Sequence, residues 1–335
     1  MGGESADFYF TKDIEMIILN KMIKNQKQYV IGVDGGGAKT VAALANIEGK
    51  ILAKAKTDSS HPRNVGIKEA ITNLAQAIHK VLRKNKNISS VFLGLPAMEE
   101  EFKYKKDVIK RELLKHKEIS PIFKGKLIIG SDQLVGFRSG TEEKDGVVLI
   151  AGSGCVAHGW RGNREVKVCG WGYLSEMGSG FWVGQKALQA IFKDLDGRGK
   201  RTLMTKLIFK NFKVKDKKSL IEKIYSKNPT KIIPLFSILV NEAAKKGDRI
   251  AKNILIEAGK ELALSTNTVI KKITPPLARQ RAGFPLVLIG SVFKSKVVLE
   301  AVKKEIKKVA PKVKFIQPEQ EPVIGAVKLA IEQLK

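Results

Sequence analysis

Two triplets of short apolar runs, each triplet opening on a glycine-rich turn, constrain this chain more than any other feature. In the first triplet Tyr29 to Val33 leads into Asp34 and Gly35-Gly36-Gly37, Lys39 to Ile47 resumes with small and branched apolar residues, and Glu48-Gly49-Lys50 turns the chain into Ile51 to Lys56. Short β-rich runs bounded by turn residues predict an antiparallel meander of strands. Val147 to Ala151, Cys155 to Trp160 and Glu165 to Cys169 repeat the pattern, connected by Gly152-Ser153-Gly154 and by Arg161 to Arg164.

The continuation of each triplet is also alike. After the first, the apolar residues Ile67, Ala70, Ile71, Leu74, Ala77, Ile78 and Val81 fall at helical spacing. Val91 to Leu95 then reads as a strand, Phe102 to Leu114 as a helix and Leu127 to Ile129 as a strand. After the second comes a mostly helical stretch from Phe181 to Ile273. A strand at Leu286 to Ile289, a helix at Lys294 to Val309, a strand at Val313 to Ile316 and a last helix beyond Pro322 follow. Three meander strands followed by alternating helices and strands make a ribonuclease-H-like layer, so the expected class is α/β, with two such lobes, a cleft between them and extra helices in the second. At 335 residues the chain is long enough for two domains. The expected division is an extension at 1–28, a first lobe at 29–140 plus 322–335, and a second lobe at 141–321 with a helical insertion.

Composition narrows the function classes. With 43% hydrophobic and 28% charged residues the chain has the makeup of a folded soluble protein. Its net charge of +28 comes mostly from lysines spread along helical segments, such as Lys103 to Lys117 and Lys303 to Lys314. A specific nucleic-acid surface would cluster that charge, so none is expected; positive potential also suits a phosphorylated ligand. Met16 to Asn20 is the only apolar run near the start, too short for a signal-peptide core or a membrane span, and no membrane association is expected. Cys155 and Cys169 are the only cysteines, which is neither a disulfide framework nor a four-ligand metal set, and a cytoplasmic location is the expectation.

The chemistry concentrates in the turns. In Gly32-Val33-Asp34-Gly35-Gly36-Gly37-Ala38-Lys39-Thr40 the glycines let backbone amides approach phosphate oxygens without an intervening side chain. This is not a Walker A loop, because Gly37 does not directly precede Lys39 and strand rather than helix follows Thr40. Nor is it the dinucleotide fingerprint, whose third glycine position holds Thr40. A plain hairpin turn is the bland alternative, though three glycines after an aspartate exceed what a turn requires. Gly152-Ser153-Gly154 sits at the equivalent hairpin of the second set. Two such turns, one per lobe, are expected to clasp a nucleotide triphosphate, with Asp34 holding Mg²⁺ through water.

Gly130-Ser131-Asp132 places an aspartate at the C-terminal tip of a predicted strand, where open α/β sheets carry functional groups. Phosphoryl transfer to an alcohol uses such a carboxylate to accept the hydroxyl proton. Asp132 also fits a helix N-cap, and the two roles are compatible. His61 and His158 lack partners at metal spacing and read as structural. Trp160, Trp171 and Trp182 suit either the wall of a sugar pocket or core packing, and both cysteines read as small buried residues.

The ordered set of Asp34 with its turn, Asn64-Val65-Gly66, Asp132, Gly152-Ser153-Gly154, Gly170-Trp171-Gly172, Gly178-Ser179 with Trp182, and Pro322 with Gly325-Ala326 resembles the N-acetylglucosamine kinase and archaeal hexokinase branch of the BadF/BadG/BcrA/BcrD-type ATPases, from about Tyr29 to Ala330. The resemblance implies an actin-like ATPase fold, ATP and Mg²⁺ as cofactors, and a homodimer. It implies phosphorylation of a hexose or amino sugar, N-acetylglucosamine, glucosamine or glucose, at the 6-hydroxyl with Asp132 as base. By the same resemblance Asn64, Gly170 and Glu176 are expected at the sugar, and Gly35, Gly36, Gly37, Lys39, Thr40, Gly152, Ser153, Gly154, Gly290 and Ser291 at the nucleotide. The chain departs from the pattern at Ser175-Glu176-Met177, at Gly290-Ser291 in place of a glycine pair, and at Gly94-Leu95-Pro96-Ala97. Two alternatives stand beside this reading: an ATPase of the dehydratase-activator type, which would need cysteines for an iron–sulfur cluster, and a nucleotide or sugar sensor without turnover.

Overall fold

The computed structural model describes residues 28–37, 39–82, 87–96, 103–117, 119, 125–225, 229–281 and 283–334. Nearly all of the expected N-terminal extension, and Ala38, Ala97 and Phe102, lie outside them. The described residues form two compact units: one runs to Ser139 and resumes at Glu321, and the other is Gly140–Gln320.

The first unit holds β1 (Tyr29–Gly35), β2 (Thr40–Asn46), β3 (Ile51–Thr57), β4 (Ile88–Leu95) and β5 (Lys126–Ser131), in the order β3-β2-β1-β4-β5. β1, β2 and β3 pair antiparallel, whereas β4 and β5 continue parallel to β1. In central β1 the successive residues Val30 and Ile31 are both fully buried, as expected of a strand covered on two faces. Edge strand β3 alternates instead, with Leu52, Lys54 and Lys56 exposed between more buried neighbours. Its lysines discourage pairing with a further strand.

One face of this sheet is covered by helix Ile67–Leu82, whose apolar stripe from Ala70 to Leu82 is buried with Ile31, Val33, Leu44 and Leu93. The other carries helix Val323–Glu332, packed with Val30, Ala43 and Phe92. Two glycines permit that second contact. A Cβ on Gly32 would stand 2.3 Å from the Val327 nitrogen, and one on Gly325 would stand 2.0 Å from the Val135 carbonyl oxygen. The buried Arg138 guanidinium pairs with Glu332 and ties helix Asp132–Gly140 to the same C-terminal helix.

The second unit repeats the plan with β6 (Gly146–Ala151), β7 (Cys155–Arg161), β8 (Arg164–Cys169), β9 (Pro285–Ile289) and β10 (Lys314–Ile316), ordered β10-β9-β6-β7-β8. Again three strands are antiparallel and two continue in parallel. Helices Gly180–Leu195, Arg249–Ile273 and Lys296–Lys307 contribute to one core with Val147, Leu149, Ala157, Leu286 and Leu288. The extra helices fall between Leu203 and Lys245. Asp248 caps helix Arg249–Ile273 through the Ala251 N–H, and also accepts the Thr202 hydroxyl at 2.5 Å, linking the starts of two helices.

Candidate functional site

In the first unit three residues align across the parallel strands: Asp34 of β1 pairs with Gly94 of β4, which pairs with Gly130 of β5. At one strand spacing per step, Asp34 and Gly130 are about 10 Å apart at the Cα level. Asp132 opens the helix two residues beyond Gly130, so Asp34 and Asp132 stand at the same C-terminal edge of the sheet. Gly94 allows the helix that close, since a Cβ there would lie 2.3 Å from Val135 Cγ2. The cap of this helix is not Asp132. Ser131 Oγ accepts the Leu134 N–H at 3.1 Å, while the Asp132 carboxylate accepts the side-chain amide of Gln133.

The β1–β2 turn is built from both sides. The Gly36 N–H donates to the Lys39 carbonyl at 2.9 Å. The Gly36 carbonyl accepts Ser59 Oγ at 3.1 Å, and the Gly37 carbonyl accepts Asn64 Nδ2 at 3.3 Å. Two carbonyl oxygens that would repel a phosphate are thereby engaged. Gly35 has no room for a side chain, because a Cβ would meet Ser60 Oγ at 2.5 Å and Leu95 Cδ2 at 2.6 Å. The structure therefore brings Gly35, Gly36, Gly37 and Asn64 together.

Lys39 projects into solvent, whereas Thr40 is fully buried and donates its hydroxyl to the Asp58 carbonyl at 2.7 Å. That geometry makes Thr40 a brace of the turn. Burial raises the Asp34 carboxyl to about 6, with Lys39 lowering it and Glu321 raising it further. Ser60 carries no signal in its type or spacing, yet it is fully buried beside Gly35 and its hydroxyl has no hydrogen-bond partner among the described residues. Only its place in the fold marks it.

In the second unit Gly152-Ser153-Gly154 is seated on the start of helix Gly180–Leu195. The Gly180 N–H donates to the Gly152 carbonyl at 2.7 Å and the Phe181 N–H to the Ser153 carbonyl at 3.0 Å, while the Ser179 hydroxyl accepts the Trp182 N–H. The N–H groups of Gly152 and Cys155 are also engaged, by the Gly154 carbonyl and by Glu176; those of Ser153 and Gly154 enter none of these bonds. Gly290, at φ 117°, lies against the turn, where a Cβ would come within 2.1 Å of the Ala151 carbonyl oxygen. Ser291 follows it at the start of a 3₁₀ turn.

Glu176 meets a geometry that its expected sugar contact did not anticipate. It is buried, and each carboxylate oxygen accepts a backbone N–H: Oε2 from Cys155 at 3.0 Å and Oε1 from Gly172 at 2.8 Å. It holds the loop around Gly172 against the Gly154 turn. Gly170 occupies the left-handed region at φ 84° directly after β8. Trp171 is 67% exposed, in contrast to Trp160, which stacks on His158 at 4.2 Å between ring centroids. His158 Nε2 lies 2.9 Å from Glu165, a structural contact between β7 and β8.

Among the described residues no three His, Cys, Asp or Glu side chains converge on a common metal position. Magnesium is commonly held by one or two carboxylates, with water and phosphate oxygens as the remaining ligands. Asp34 beside the glycine turn fits that kind of site. Among the described residues no helix is long and apolar enough to cross a membrane.

Two sheets of identical strand order, each with a glycine turn between its first two strands, define the two-lobed actin-like ATPase class. The chain belongs to the BadF/BadG/BcrA/BcrD ATPase family, whose pattern matches residues 31–330. It is 29% identical over 314 residues to the N-acetylmuramic acid/N-acetylglucosamine kinase of Clostridium acetobutylicum, covering 90% of this chain and 98% of that one. It is 30% identical over 332 residues to the N-acetyl-D-glucosamine kinase of Dictyostelium discoideum, covering 92% and 99%. A solved structure from Chromobacterium violaceum, provisionally named an N-acetylglucosamine kinase, shares the fold with a TM-score of 0.68 at 20% identity, covering 90% of this chain and 98% of that one.

Proposed function

We propose that the protein is a sugar kinase that transfers the γ-phosphoryl group of ATP to the 6-hydroxyl of an N-acetylated amino sugar. The observation that carries this reading is Asp132 at the tip of β5, on the same sheet edge as Asp34 and relieved of helix capping by Ser131. The names of the two relatives support the class of acceptor.

Asp132 accepts the hydroxyl proton as the sugar oxygen forms its bond to phosphorus and ADP departs. A magnesium ion, when bound, supplies positive charge against the phosphate oxygens. Asp34 would hold that ion, and Asn64 binds a sugar hydroxyl while keeping Gly37 in place. The turns at Gly35 to Gly37 and Gly152 to Gly154, with Lys39, Gly290 and Ser291, are assigned to the nucleotide, and Thr40 and Glu176 to positioning. Gly170 is assigned to the sugar loop. Cytoplasmic location and a homodimer complete the proposal. Burial of Cys155 does not favour the dehydratase-activator alternative, whose cluster needs accessible thiolates.

ADP release from Mg-ATP, measured with N-acetylglucosamine, N-acetylmuramic acid, glucosamine, glucose and mannose in turn, tests the reading. The expected result is release that depends on an N-acetylated sugar and yields its 6-phosphate. Release at one rate with or without any sugar would replace it by a plain ATPase, and no release at all by a sensor.

A further inference from the structure

The segment from Asp58 to Asn64 is laced to the β1–β2 turn along its length. The Asp58 carbonyl accepts the Thr40 hydroxyl at 2.7 Å, Ser59 Oγ donates to the Gly36 carbonyl at 3.1 Å, and Asn64 Nδ2 donates to the Gly37 carbonyl at 3.3 Å. Ser60 packs against Gly35, its Oγ lying 2.5 Å from where a Cβ would stand. Gly35, Gly36, Gly37 and Thr40 thus each meet this one segment.

Ser59 is the centre of the lacing. Its hydroxyl has one proton, given to Gly36, which leaves the oxygen to accept the His61 N–H at 3.2 Å. Its carbonyl accepts Nδ2 of buried Asn73 at 2.8 Å, and the Asn73 carbonyl in turn accepts the Thr57 hydroxyl at 2.9 Å. Asn73 belongs to helix Ile67–Leu82, whose apolar stripe is fixed in the core, so Ser59 is held from behind by a packed element. In front, His61 leads into the single helical turn Pro62–Val65, where the Asn64 N–H donates to the His61 carbonyl at 2.9 Å. Asn64 therefore reaches the glycine turn by two routes: directly through its side-chain amide to Gly37, and through His61 and Ser59 to Gly36. The second route starts at an exposed residue and passes through a buried one.

We propose that Ser59 is a positioning residue that makes binding of the acceptor sugar and binding of the nucleotide reinforce each other. The inference rests on the reading above, in which Asn64 binds the sugar and Gly35 to Gly37 the nucleotide. The Asn64 side chain has an oxygen for a sugar hydroxyl and an N–H already given to Gly37. A bond accepted at the oxygen polarises the amide and strengthens the bond donated at the nitrogen. At 3.3 Å that donated bond is long for N–H···O and has room to shorten.

The sugar also fixes the exposed end of the chain that runs through His61 and Ser59, so Gly36 and Gly37 are ordered before the triphosphate arrives. A turn already ordered costs the nucleotide less, and linkage requires the nucleotide to tighten the sugar by the same factor. Without the Ser59 hydroxyl, the Gly36 carbonyl and the His61 N–H lose their common partner and only the direct route is left.

Two measurements on the full-length protein test this. Calorimetric titration with Mg-ADP, with and without saturating N-acetylglucosamine, reads the coupling without turnover. The expected result is an ADP affinity about fivefold or more higher with sugar in the parent, and a gain below about twofold in Ser59→Ala, while each ligand alone still binds. Ser59→Thr keeps the hydroxyl and should restore the coupling. Amide hydrogen exchange followed by mass spectrometry reads the turn itself: sugar alone should slow exchange in peptides carrying Gly36 and Gly37 of the parent and leave those of Ser59→Ala unchanged. Should Ser59→Ala not fold, the parent still decides, because a sugar that binds without protecting the turn overturns the inference. An undiminished coupling in a folded Ser59→Ala overturns it too, even with both ligands weakened, since Ser59 would then be a structural support only. Sugar-dependent ADP release from Mg-ATP combined with uncoupled binding would sink this inference alone, whereas N-acetylated sugars that neither bind nor promote ADP release would sink the functional reading on which it stands.

Discussion

The Glu176 carboxylate occupies the space that a side chain at Gly154 would need: a Cβ there would stand 2.2 Å from Oε2. Gly154→Ala must therefore push Glu176 out of reach of the Cys155 or Gly172 N–H. The expected outcome is a destabilisation of about 1–3 kcal/mol, together with an ATP affinity weaker by about tenfold or more, read by thermal unfolding and calorimetric titration. Unchanged ATP binding in a folded variant would remove this turn from the nucleotide site.

For Asp132 the expectation concerns rate. Asp132→Asn keeps the size of the side chain and loses the base, so kcat should fall by about 10²–10⁴-fold while ATP binding stays close to that of the parent. Steady-state kinetics with a saturating sugar, paired with a nucleotide titration, separates the two. A variant turning over at the parent rate would assign the proton to another group.

Asp34 gives a dependence on pH with a definite sign. Its carboxyl is raised from 3.8 to about 6, chiefly by burial. Below the lower value it is uncharged whether the chain is folded or not, and nothing is lost. As pH rises through about 6 the folded chain must hold a buried charge that the unfolded chain carried readily, so stability is lost across that interval. Asp34→Asn should match the parent near the bottom of this range and exceed it above, by about 1–3 kcal/mol. Metal binding needs the ionised form, so Mg-ATP should bind the parent more tightly as pH rises through about 6, and the variant should show no such trend. Parallel stability curves for the two proteins across this interval would refute the assignment.

Gly325 tests the packing rather than the site. With 2.0 Å between its would-be Cβ and the Val135 carbonyl, Gly325→Ala has to move the C-terminal helix off helix Asp132–Gly140. The expected cost is about 1–3 kcal/mol or more, seen as a lower melting temperature, with kcat reduced because Asp132 starts the displaced helix. A melting temperature equal to the parent's would show that the helix shifts freely.

Most strands were legible because branched and small apolar residues cluster between turn residues, and both meanders declare themselves in this way. Helix Asp132–Gly140 is signalled only by a capping residue at its start, which is Ser131 rather than Asp132: Gly136, Ser139 and Gly140 give it a weak amphipathic pattern, and its burial depends on Gly94 and Gly325, far away in sequence. The glycine turns and the two aspartates could be read from residue type. Glu176 could be found but its contacts could not, since accepting the Cys155 and Gly172 amides is a property of loop conformation. Ser60 and the inverted backbone of Cys169 leave no trace in local composition.

The seating of Val327 on Gly32 joins residues that leave the ribosome far apart in time. Strands β1 to β5 are made before Val323–Glu332, the helix that completes the cover of their second face beside Val135. The contiguous Gly140–Gln320 unit has its whole sequence available sooner. Nascent chains stalled before residue 323 should thus display an apolar sheet face to chaperones, and removal of Val323–Glu332 should harm the first unit more than the Gly140–Gln320 unit.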